Sequence, residues 1–96
     1  MANRKSEKDR YFIDPNKMPP AQIRAIQLLT LRKGLPAPYT GGIVYCGKGA
    51  FRLQTAMELS AIGVVYKTNG DLGESYVLSK VGEAIGVRVA KWRVDY

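Results

Sequence analysis

The chain has 96 residues, with 15 Lys and Arg against 8 Asp and Glu, no histidine and one cysteine, for a net charge of +7. These counts exclude His-based acid–base chemistry and an internal disulfide, and they leave no ligand set for structural zinc. The length suits one domain with a modest core, no apolar run reaches the ~18–20 residues that span a bilayer, and the charge favours polyanionic partners.

Residues 1–18 read as a basic, flexible tail in which Arg4, Lys5, Lys8, Arg10 and Lys17 mix with Glu7, Asp9 and Asp14 without period. Tyr11, Phe12 and Ile13 form an apolar patch within it. Met1 to Arg10 has no apolar stretch behind it, so the reading is a cytoplasmic protein without a secretory signal. The domain is expected over 19–96.

Pro19 and Pro20 introduce a helix over Ala21–Lys33. Its apolar stripe is Ile23, Ile26 and Leu29 with Leu28 and Leu31, while Gln22, Arg24 and Gln27 face elsewhere. Arg32 and Lys33 complement its dipole and Gly34 stops it. Leu35–Gly42, with two prolines and a Gly-Gly pair, reads as loop, and Ile43–Cys46 as a short strand.

A second helix is expected over Ala50–Ile62. Leu53, Ala56, Met57 and Ala61 would be buried, and Arg52, Gln54, Thr55 and Glu58 more exposed. Val64–Lys67 and Ser75–Leu78 then form a hairpin around a turn at Thr68–Gly73. Ser79 caps a third helix reaching about Lys91. The alternation of Ala90, Trp92, Val94 and Tyr96 offers a strand as the competing reading of 90–96.

No motif points to catalysis, so the chain reads as a non-enzyme without cofactor or metal. Gly47-Lys48-Gly49 lacks the spacing and the Ser or Thr of a phosphate-binding loop. Cys46 reads as a small buried hydrophobe, and the carboxylates are scattered singly. Tyr39, Tyr45, Tyr66 and Tyr76 read as core or hairpin residues before base-stacking platforms.

Leu59-Ser60-Ala61-Ile62-Gly63-Val64-Val65, followed by Tyr76-Val77-Leu78-Ser79-Lys80-Val81-Gly82-Glu83-Ala84, resembles the second half of a winged-helix domain. Met18-Pro19-Pro20-Ala21-Gln22 is similar to the opening of the first helix in prokaryotic regulators of that superfamily. The resemblance covers about residues 19–92. It implies an α+β fold, a small winged-helix-like domain of helix, short strand, helix, β-hairpin and helix. The chain departs from the family between its first two helices, where Pro36, Pro38, Gly41, Gly42 and 43–46 leave one helix shortened or replaced by loop.

The resemblance also implies that the 50–62 helix enters a major groove and that the hairpin meets the backbone or minor groove. Lys48, ahead of that helix, and Arg52, in its first turn, would meet phosphate or a guanine edge. Gln54 and Thr55 would reach adenine or backbone, and Lys67, Thr68 and Asn69 the backbone. Glu58 is expected away from the groove, and Asp71 and Glu74 oppose phosphate contact.

The first functional reading is therefore a DNA-binding regulator of transcription or an accessory DNA-binding factor. The second is a protein-binding winged-helix module that inhibits or adapts a larger complex, such as an RNA polymerase or a defence nuclease. It draws on the acidic hairpin, the missing helix and Tyr11-Phe12-Ile13. The third is an RNA-binding or ribosome-associated protein. The sequence leaves the DNA site, the partner and the oligomeric state open.

Overall fold

The structure is a computed structural model, and residues 13–94 are those it describes. The domain is α+β: three helices pack on one face of a five-stranded antiparallel sheet. The order along the chain is α1 (Pro20–Leu31), β1 (Ala37–Thr40), β2 (Ile43–Tyr45), β3 (Ala50–Arg52), α2 (Leu53–Ala61), β4 (Val65–Gly70), β5 (Gly73–Leu78) and α3 (Lys80–Val89). In space the strands run β3-β2-β1-β5-β4.

Cross-strand register decides which side chains meet the helices. Val65 pairs with Leu78, Tyr76 with both Lys67 and Ala37, and Val44 with both Tyr39 and Phe51. Val65, Leu78, Tyr76, Ala37, Val44 and Phe51 are buried with Ile23, Ala25, Ile26, Leu28 and Leu29 of α1, Ala56 and Leu59 of α2, and Ile85 and Val89 of α3. The other sheet face carries Tyr66, Thr68, Pro38, Ile43 and Tyr45, none of which is buried.

Six boundaries differ from the sequence reading. First, Ile13–Met18 belongs to the domain: Pro15 is buried in a single 3₁₀ turn (Pro15–Lys17), and Ile13 and Met18 pack against the core. Residues 1–12, with Tyr11 and Phe12, lie outside the described residues. Second, α1 ends at Leu31, because Lys33 and Gly34 take left-handed backbone angles of +56° and +89°. Arg32, past the helix, donates from Nε to the Leu35 carbonyl (3.2 Å) and from Nη2 to the Pro36 carbonyl (2.6 Å).

Third, the expected loop contains β1, which the two prolines concealed. The Ser79 N–H donates to the Val64 carbonyl at 2.9 Å, extending the β4–β5 register by one pair. By alternation the odd-numbered residues of β5 bond to β4 and the even ones to β1. Pro38, opposite Ser75, therefore needs no N–H toward β5.

Fourth, Ala50–Arg52 is strand, so α2 begins at Leu53. The 46–49 turn, with the Cys46 N–H donating to the Gly49 carbonyl at 2.8 Å, folds β3 back so that Val44 and Phe51 are buried as a pair. Fifth, the β4–β5 turn is only Asp71-Leu72: Thr68, Asn69 and Gly70 are paired with Ser75, Glu74 and Gly73. Sixth, α3 ends at Val89, short of Lys91, and residues 92–94 are neither helix nor strand. Asp95 and Tyr96 lie outside the described residues.

Two polar side chains join the helices to the rest. Gln27, expected on an outer face, is buried and donates to the carbonyls of Val89 (2.9 Å) and Trp92 (2.8 Å), which end α3. The Ser79 hydroxyl accepts from the Gly82 N–H at 3.1 Å, the expected cap, and donates to the Gly63 carbonyl at 2.6 Å. Among the described residues no helix is long and apolar enough to cross a membrane.

Candidate nucleic-acid interface

The residues singled out from sequence fall on three elements. Lys48 is exposed in the β2–β3 turn. It does not precede a helix, because β3 intervenes, so it has no share in the amide groups at the start of α2. Arg52 is exposed as the last residue of β3 and the N-terminal flank of α2, with no side-chain cap bond. Gln54, in the first turn of α2, is exposed too.

Thr55 is the correction: it is 7% exposed and packs inward with Ala56 and Leu59, so it offers nothing to a groove. The side of α2 left open is Gln54, Met57, Glu58, Ser60 and Ala61. Met57, expected in the core, is 57% exposed, and its place inside is taken by Thr55 and Leu59. Glu58 shares the open side with Gln54, one turn on, and accepts from Gln22 Nε2 at 3.3 Å.

Lys67 and Asn69 are exposed on β4, on the sheet face that carries the helices. Lys67 stands 6.0 Å from the centre of the Tyr39 ring. Its pKa is raised, chiefly by charge interaction with Tyr39 and then Tyr76. The Tyr39 hydroxyl donates to Glu74, and that bond holds the tyrosine pKa above its ordinary value. Tyr39 and Tyr76 rings stack at 5.3 Å with a 41° tilt. Between α2 and this group runs a cleft of about 310 Å³ lined by Tyr39, Leu53, Met57, Ala61, Lys67 and Tyr76.

Sequence reasoning missed that cleft. Tyr39, Lys67 and Glu74 come from three strands and meet only when β1 inserts beside β5, so no local spacing signals them. Lys48, Arg52, Gln54, Lys67 and Asn69 thus remain accessible, but the hairpin cation already has neighbours while those of the β2–β3 hairpin point into solvent.

Among the described residues, no group of three His, Cys, Asp or Glu is placed to hold a metal ion. Cys46 is buried, and burial pushes its thiol pKa up to about 11, against a lowering by nearby Arg32. The thiolate needed of a nucleophile is therefore disfavoured. Comparison with family models, with curated proteins and with solved structures returns no match to this chain.

Proposed function

We propose that the protein is a small nucleic-acid-binding module of winged-helix type, acting in the cytoplasm on duplex DNA as a regulator or accessory factor. The observation that carries this reading is the exposure of its cations. Of the Lys and Arg in residues 13–94, only Arg32 is even half-buried; Lys48, Arg52, Lys67, Lys80, Arg88, Lys91 and Arg93 all reach solvent. Such a surface binds phosphates by displacing counterions, with little demand on sequence.

The placement of these groups favours backbone contact over base reading. Lys48 and Arg52 on the β2–β3 hairpin, with Gln54 on the first turn of α2, form the leading contact set. Lys67 and Asn69 are secondary, because Glu74 lies beside them. Apart from Gln54 and Ser60, the open side of α2 offers a groove Met57, Glu58 and Ala61, which suits weak sequence preference.

A second reading, a protein-binding module, draws on the cleft beside α2. Exposed Met57 beside Tyr39, Leu53 and Ala61 is an apolar surface edged by Lys67 and, through Tyr39, Glu74. Fluorescence anisotropy with random-sequence duplex at two salt concentrations separates the readings. The DNA reading expects affinity to fall with salt, with a log–log slope near −0.9 per phosphate contacted, and Lys48→Ala and Arg52→Ala each to flatten it by about one. Absence of binding at low salt would overturn it.

A further inference from the structure

Among the described residues, no strand pairs with the outer edge of β4. β4 pairs with β5 without a bulge from Val65 to Gly70 and contains no proline, two of the devices that blunt an edge; a third, an edge lysine, is present as Lys67. By the alternation fixed at the Val64–Ser79 bond, the even residues of β4 bond to β5, and Val65, Lys67 and Asn69 turn their N–H and C=O groups outward. Among the described residues, no further backbone bond of β4 leaves the hairpin.

We propose that this edge pairs antiparallel with the same edge of a second copy, forming a twofold dimer with a continuous ten-stranded sheet. The occupant is argued from the strand's fit to itself. Outward-turned residues must face one another, which allows registers differing by two residues. Placing Lys67 against the partner's Lys67 sets like charges directly opposite, which is unfavourable.

The neighbouring register sets Thr68 against the partner's Thr68, Lys67 against the partner's Asn69 and Tyr66 against the partner's Gly70. Threonine pairs and a lysine–asparagine pair are both favourable neighbours. Glu74, beside Asn69, adds attraction for the incoming lysine. The remaining shifts, centred on Tyr66 or on Asn69, each leave only three residues of β4 paired.

The chosen register also gives Tyr66 somewhere to go. Tyr66 is 51% exposed on the sheet face away from the helices. On that face, beside Gly70, lies a cleft of about 310 Å³ lined by Arg32, Leu35, Pro36, Pro38, Asp71, Leu72 and Ser75. Pro36 already packs over Gly70 itself, so a partner's tyrosine ring would lie against the Leu35 and Leu72 walls of the cleft. Its walls include Leu35 and Leu72, which are otherwise 63% and 80% exposed. Three exposed apolar side chains per copy are thus covered by one pairing.

Sedimentation velocity on the full chain without nucleic acid, up to millimolar concentration, tests this independently of the DNA reading. A monomer–dimer equilibrium is expected. Asn69→Pro removes an outward N–H and none of those bonding β5, so it should leave a folded monomer by circular dichroism. Tyr66→Ser should weaken association at least about tenfold. Asn69→Asp, placing carboxylates against both lysines, should tighten it roughly 2- to 30-fold.

Register is read separately: Thr68→Cys should cross-link across the twofold axis on mild oxidation, and Lys67→Cys should not. A chain monomeric at every concentration overturns the proposal. So does a dimer indifferent to both Asn69→Pro and Tyr66→Ser, or one that cross-links through position 67.

Discussion

Gly82 marks the closest approach of α3 to the sheet. A Cβ there would run into the Val64 carbonyl and the Leu78 side chain, and backbone cannot step aside as a flexible chain end can. Gly82→Ala is expected to cost about 1–3 kcal/mol by forcing α3 outward, read as a lower urea midpoint. Glycine is a poor helix former, and the reason for it in the first turn of α3 is packing that is visible only with the sheet in place. Gln27 teaches the same lesson: as a polar residue it read as outward-facing, yet it satisfies two carbonyls at the end of α3.

Cys46 adds a pH dependence. Its pKa rises from 9.0 to about 11 on folding because burial penalises the thiolate. The folded state holds the proton more tightly, so the contribution is complete below pH 9 and is lost as pH rises toward 11. Tyrosines and lysines titrate nearby, so the quantity to measure is the stability of the protein minus that of Cys46→Ala. That difference should shrink between pH 9 and 11; a constant difference would refute the assignment.

At the scale of elements, α2 was legible in its place but not in its start or its rotation. Both Thr55 and Met57 are compatible with a helix, and the choice of which lies inside is made by the fit of Leu59 and Ala56 to α1 and the sheet. The test is a pair of variants: Thr55→Ala should lower thermal stability and leave DNA affinity unchanged, whereas Gln54→Ala should do the reverse. Loss of affinity from Thr55→Ala at constant stability would return that residue to the interface.

The hairpins divide in the same way. Asn69-Gly70 announced a turn near the right place, but strand pairing carried regular structure on to Gly70 and left Asp71-Leu72 at the tip. β1 and β3 went unseen for different reasons: Ala37 depends on Tyr76, distant in sequence, whereas β3 pairs with nearby β2 across the 46–49 turn and residues 50–52 also fitted the start of a helix. Propensity gave no warning, since proline speaks against a strand unless no ladder bond needs its missing donor, as for Pro38, which is turned from β5 and lies beyond the last β1–β2 pair.

Across the whole molecule, the 3₁₀ turn at Pro15–Lys17 moves the domain boundary. A chain beginning at Pro19 would lose buried Pro15 and the packing of Ile13 and Met18 on the core. It should unfold at lower urea than the full chain, by about 2 kcal/mol or more. Equal stability of the two chains would show that these contacts contribute nothing.

The sequence by itself determined the α+β class, three helices near their observed places, the β4–β5 hairpin, the Ser79 cap and the outward positive charge. These follow from local periodicity, turn chemistry and composition, which need no distant partner. Only the tertiary structure decided that the described residues form five strands, that β3 separates Lys48 from α2, that Thr55 is buried and Met57 is not, and that no described strand pairs with the outer edge of β4. Each of those depends on which elements lie side by side, and local periodicity and propensity do not specify that.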